Sequence, residues 1–130
     1  MVSDKECKIV LPADCDNSPK TEFLKDFNTA FARGDSEFIL SCLSENLLWE
    51  LVGSKLNQGK AEFARELEGL KNNLPEEIHI HNIITQGKSG SLNGKIKNRD
   101  GTVYAFCDVY GFTDTKDLKI KSIITYMIKI

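Results

Sequence analysis

No apolar run in the 130-residue chain approaches the roughly 20 residues that a membrane span needs, so no membrane is expected as a partner. The 17 Lys and Arg residues stand singly among 19 acidic ones, and the formal net charge is −2. With no basic stripe to release counterions from a phosphate backbone, nucleic acid is not expected as a partner either. The four cysteines, Cys7, Cys15, Cys42 and Cys107, include no C-x-x-C pair. Reduced thiols in a bacterial-type cytoplasm are the simplest reading, and a Cys7 to Cys15 bridge is the alternative. The apolar stretch Ile9-Val10-Leu11 is too short for the core of a signal peptide, which also points to the cytoplasm. Internal repeats and low-complexity segments are lacking as well.

What is present suits one soluble domain. Hydrophobic residues make up 41% and charged residues 28% of the chain. At this length folding removes roughly two-thirds of the unfolded surface from water, so no disulfide or metal is needed to hold the core. Residues 1–17 read as a polar N-terminal arm around Ile9-Val10-Leu11-Pro12, either irregular or an edge strand. Residues 18–130 read as the single domain.

The domain opens on Asn17-Ser18-Pro19, a capping side chain followed by proline where a missing N–H costs nothing. A helix follows in which Phe23, Phe27 and Phe31 recur every four residues, and Gly34 stops it. Asp35 caps a shorter helix carrying Phe38, Ile39, Cys42 and Leu43, which ends at the turn Ser44-Glu45-Asn46. A strand from Leu47 to Val52 and a short loop lead to a third helix from Lys60 to about Leu70. From Ile78 the period becomes two. Strands are expected at 78–86, 89–97, 102–113 and from Leu118 towards the C-terminus, with Asn98-Arg99-Asp100-Gly101 as a hairpin signal. On the last strand Leu118, Ile120, Ile124, Tyr126 and Ile128 are expected to share a face. Helices followed by hairpin-linked strands argue for α+β: a cone-shaped, strongly curved antiparallel sheet with three helices from the N-terminal half on its concave side.

Several side chains are candidates for chemistry. Alternation puts Leu48, Glu50 and Val52 on one face of the first strand and Leu47, Trp49 and Leu51 on the other. An inward Glu50 is a carboxyl among hydrocarbon, suited to proton transfer; the plainer reading is an acid reaching solvent or pairing with Lys55 or Lys60. Asp108 shares a strand face with Tyr104, Phe106, Tyr110 and Phe112, where it is either a site residue or a hydrogen-bonded acid joining two strands. Phe27, Phe31, Trp49, Phe63, Phe106 and Tyr110 are the aromatic candidates for a ligand-lined cavity, with plain core as the competing role. His79 and His81 point the same way from one strand but have no identifiable third ligand; no metal and no cofactor are expected.

The chain resembles the nuclear transport factor 2-like superfamily, which includes ketosteroid isomerases and SnoaL-like polyketide cyclases. The resemblance spans residues 19–128. It is carried by Phe31-Ala32-Arg33-Gly34-Asp35, by Leu48-Trp49-Glu50-Leu51-Val52-Gly53-Ser54 with Gly59, and by the strands around Tyr104 to Tyr110 and Ile120 to Tyr126. It implies that Glu50, three positions before the strand-end glycine, corresponds to the isomerases' proton-shuttling base. Phe27 stands where they carry a phenol, Tyr104 where they carry a protonated acid, and Asp108 at their second aspartate. Relatives with epoxide hydrolase activity use an arginine between two acids, and Arg33, Arg65 and Arg99 fall near helix ends or in a turn instead. The expectation is a pocket protein for a small organic or apolar ligand, an acid–base isomerase or cyclase with Glu50, Asp108 and Tyr104 as its catalytic groups. A non-catalytic binding protein and a protein-interaction module are the alternatives. A homodimer through the sheet is expected, because a wide sheet with an apolar outer face tends to be covered.

Overall fold

The computed structural model describes residues 6–13, 17–113 and 117–130. Cys15, and with it the Cys7 to Cys15 alternative, lies outside the described residues, as does most of the turn before the last strand.

Helix α1 spans Pro19–Arg33, with the Ser18 side chain accepting from the Thr21 N–H. It stops at Gly34, whose left-handed φ of 73° returns the chain N–H to the carbonyls of Ala30 and Phe31. Asp35 caps α2, Ser36–Ser41, by accepting from the Phe38 N–H. Helix α3 is Lys60–Leu70. Helix α1 starts and stops at its capping residues, and α3 has the expected bounds; α2 starts at its cap but ends at Ser41, so Leu43, expected on this helix, opens a strand instead.

Seven strands form one sheet: β1 Lys8–Val10, β2 Leu43–Leu51, β3 Lys55–Gln58, β4 Glu77–Gln86, β5 Ser89–Lys97, β6 Val103–Phe112 and β7 Ile120–Lys129. Their spatial order is β1-β4-β5-β6-β7-β2-β3. The four late strands pair antiparallel, whereas β1 joins β4 and β2 joins β7 in parallel. The N-terminal arm thus supplies an edge strand. The short loop expected before α3 holds β3, which pairs with β2 across a turn at Gly53 (φ 82°). Ser44-Glu45-Asn46, expected as a turn, lies inside β2 where its register on β7 shifts between Leu43 and Leu48.

Two further register shifts bend the sheet. His81 is the extra residue between the pairs Ile80–Gly94 and Asn82–Asn93. Gly94 permits that bulge, since a Cβ there would stand 1.9 Å from the His79 carbonyl oxygen. Lys121 is the extra residue between Phe112–Ile120 and Gly111–Ser122. It reverses the facing of everything after it, which corrects the single face expected for β7. Ile120, Ile123 and Thr125 are buried, while Tyr126 and Ile128 stand on the outer face.

The helices cover the concave side. Phe23 meets Phe112 edge-on at 6.1 Å between ring centroids, and Phe27 meets Tyr110 at the same distance. Burying each such ring contributes about 1.5–3 kcal/mol. Leu24, Leu47, Phe63, Leu92 and Ile120 complete the closed part of the core, and towards the other end the layers part around a cavity.

Candidate active site

The cavity has a volume of about 300 Å³. Its wall is apolar and aromatic, including Phe27, Phe31, Trp49, Tyr104, Phe106 and Tyr110. Lys55 of β3 and Glu66 of α3 also line it and pair at 2.8 Å. Among the described wall residues Asp108 is the other acid, and there is no arginine.

Asp108 and Tyr110 alternate inward along β6, and Thr125 lies opposite Asp108 on β7. The Thr125 hydroxyl donates to Asp108 Oδ1 at 2.8 Å, and the Tyr110 hydroxyl donates to Oδ2 at 3.1 Å. Trp49 Nε1–H donates to Thr125 Oγ1 at 3.1 Å. On the other side Asn28 Nδ2 donates to the Tyr110 oxygen at 3.1 Å and to the Leu24 carbonyl at 2.9 Å. One chain of hydrogen bonds therefore runs from α1 through β6 and β7 to β2, with a carboxyl at its centre.

Loss of hydration raises the Asp108 pKa to about 6, against the pull of the Thr125 and Tyr110 hydrogen bonds, which favour the charged form. Burial, and then the Asp108 charge, push the Tyr110 phenol well above its ordinary value, so it stays a donor. A carboxyl that titrates near neutrality in an apolar cleft is equipped to take up and return protons.

Of the residues read as catalytic, Asp108 and Tyr104 line the cavity and Glu50 does not. Glu50 is exposed on the outer face, flanked in register by Leu56 and Ile124. The inward set is Leu47, Trp49 and Leu51. Both faces of β2 are apolar, so alternation alone left the choice open. Burying the indole with its N–H satisfied, rather than a carboxylate among hydrocarbon, decides it. Tyr104 takes no part in the chain of hydrogen bonds; four residues from Asp108 on a strand, its Cα stands roughly 13 Å away. Of the aromatic candidates, Phe63 is the one that does not line the cavity. It is 0% exposed and packs behind Trp49 and Phe31, with ring centroids 5.1 and 6.3 Å away. His79 and His81 lie away from the cavity, and His79 pairs with Glu77, whose carboxyl this hydrogen bond holds below its usual range.

A family model described as SnoaL-like domain matches residues 24–123. The chain belongs to the SnoaL-like family. No curated protein sequence matches it. Among solved structures, this SnoaL-like chain is similar to a nuclear transport factor 2-like protein of unknown function from Cytophaga hutchinsonii, with a TM-score of 0.65, 19% identity, and 83% of this chain and 98% of the other covered. An epoxide hydrolase of the LEH-like type from M. tuberculosis gives 0.71 at 18% identity, covering 83% and 81%. SalBIII, an epoxide hydrolase/cyclase-like enzyme of pyran ring formation in the polyether salinomycin, gives 0.62 at 22% identity, covering 82% and 88%. At these identities the likeness is one of fold.

Asn28 and Thr125 are the site residues of this SnoaL-like domain that sequence reasoning passed over. Asn28 follows Phe27 on a helix whose visible signal was its phenylalanine stripe. Thr125 sits in Ile123-Ile124-Thr125-Tyr126, a β-rich run in which a threonine carries no special mark.

Proposed function

We propose that this SnoaL-like protein admits a small, largely apolar organic carbonyl compound to the cavity and moves a proton on it, with Asp108 as the base. The observation that carries the reading is a buried carboxyl of pKa about 6, with no cation among the described residues paired to it, held inside an aromatic-walled space of about 300 Å³. That volume is at the small end of ligand pockets. Tyr104, at the other end of the same strand face, is the phenol available to a ligand oxygen as negative charge develops there. The hydroxyl of Tyr110 is already engaged by Asp108. Epoxide opening of the arginine-between-acids kind fits less well, because the described cavity wall has no arginine.

Deuterium uptake next to the carbonyl in a panel of small cyclic ketones, followed by NMR, tests this. The protein should accelerate exchange of at least one ketone, and Asp108→Asn should lose about 10²–10⁴-fold of that rate. Ketones that bind but exchange at the background rate would leave a binding protein without catalysis.

Homodimerisation through the convex face is part of the same reading. Leu56, Glu50, Ile124 and Val109 lie in one row across β3, β2, β7 and β6, apolar but for Glu50, and Tyr126 and Ile128 extend it. Of these, Leu56 is 50% and Ile128 67% exposed, an apolar surface that a second copy would cover. Light scattering should give twice the chain mass, falling to one mass in Tyr126→Lys; a wild-type monomer at high concentration rules the dimer out.

A further inference from the structure

The hydrogen-bond chain around Asp108 has a direction, and the chemistry of its two ends sets it. At one end the indole of Trp49 carries an N–H and no acceptor lone pair, so it can only donate. Thr125 Oγ1 must accept that proton, and its own hydrogen turns to Asp108 Oδ1, 2.8 Å away. At the other end Asn28 touches the Leu24 carbonyl, an acceptor only, which requires the amide NH₂ on that side. The same NH₂ faces the Tyr110 oxygen, so the Tyr110 hydrogen is directed to Asp108 Oδ2. Both carboxyl oxygens therefore receive a proton donor, and neither Trp49 nor Asn28 makes one of those two bonds.

We propose that Trp49 and Asn28 are positioning residues which, through Thr125 and Tyr110, hold Asp108 as an acceptor on both oxygens, so that it meets its ligand as a base and not as an acid. The inference rests on the acid–base reading of the cavity for its purpose, though not for its test. In the step it prepares, a C–H bond of the ligand breaks and an O–H bond forms on Asp108. The electron pair stays on the ligand and spreads onto its oxygen, and the proton later returns from Asp108 to carbon. A protonated Asp108 oxygen is a poor acceptor, so each aligned donor favours the charged form and opposes the loss of hydration. Besides Tyr110, the ionisable side chains of the cavity wall around Asp108 are Tyr104, Lys55 and Glu66, and none of these three hydrogen-bonds it; Cys107 lies behind it on the outer face.

Carboxyl ¹³C NMR of the full chain labelled at aspartate reads the titration of Asp108 directly. Trp49→Phe keeps an aromatic ring and removes the N–H, which frees the Thr125 hydroxyl to turn away. Asn28→Leu frees the Tyr110 hydroxyl likewise. Each should raise the Asp108 midpoint by about one pH unit, and Thr125→Val should do the same while Thr125→Ser keeps the wild-type value. An unchanged midpoint in folded Trp49→Phe and Asn28→Leu proteins overturns the proposal. If Trp49→Phe does not fold, the Thr125 pair decides: a raised midpoint in Val alone supports the direction, and equal midpoints overturn it. Midpoints that move as stated in a protein that exchanges no ketone leave the hydrogen-bond chain standing and sink the proposed reaction. Ketone exchange with unmoved midpoints does the reverse.

Discussion

Asp108 on β6 stands directly opposite Thr125 on β7, and the threonine hydroxyl bonds the carboxyl across 2.8 Å. The pairing depends on the bulge at Lys121. Were Lys121 instead paired in a regular ladder from Phe112–Ile120, Ile124 would stand against Asp108, leaving one carboxyl oxygen facing hydrocarbon.

The raised Asp108 pKa makes stability depend on pH. An aspartate with an ordinary value of 3.8 in the unfolded chain and about 6 in the native protein keeps its proton longer when folded. Between those values the native state binds more protons, so stability falls as pH rises, by about 3 kcal/mol in all, and is level above the window. Asp108→Asn has no such slope. Urea unfolding of both proteins from pH 4 to 7 should show the variant gaining on the wild type by about 2 kcal/mol, most of that total, and parallel curves would contradict a buried, titrating Asp108. Glu77 and Asp100, both held low, lose their contribution as the solution becomes more acidic, equally in the two proteins.

Glu50→Gln should change little. In the single chain the side chain is exposed on the convex face, and a Glu-to-Gln change there keeps the fold's stability within about 0.5 kcal/mol, whatever it does to self-association. Turnover of any ketone that the protein processes should be unaltered; a loss comparable to that of Asp108→Asn would restore Glu50 to the site.

Phe63→Ala should cost about 3–5 kcal/mol in chemical denaturation, because the ring is fully enclosed beneath Trp49 and Phe31 and little can move in to fill its place. A cost below about 1 kcal/mol would mean that the ring is not part of the closed core.

Gly94→Ala should abolish folding or cost more than about 4 kcal/mol, since the new methyl group meets the His79 carbonyl at 1.9 Å across the bulge. Gly69→Ala, near the end of α3 with nothing within 4 Å of its added carbon, is the control and should be neutral or stabilising by up to about 1 kcal/mol. Equal melting temperatures for the two variants would show that β4 and β5 can separate at no cost.

The local rules were legible in the residues themselves. Ser18-Pro19 and Gly34 bound α1, Asp35 opens α2, and the alternation of β6 sets Tyr104, Phe106, Asp108, Tyr110 and Phe112 along one face. Hydrogen bonds that span three or four residues and a strand's period of two need nothing from the rest of the chain. The strand β3 was not legible, since Lys55-Leu56-Asn57-Gln58 has no marked strand composition and is held by its pairing with β2.

By itself, then, the order of residues determined three helices, an antiparallel run of strands, and an acid set among aromatics at position 108. Tertiary structure alone decided which acid faces the cavity. Both sides of β2 are apolar, and the partners that other elements supply, Phe63 against the Trp49 ring and Thr125 for its N–H, make one of them the inner side. Bulges at His81 and Lys121 likewise reverse the sense of each strand beyond them, and a register is a property of two strands together, carried by neither sequence alone.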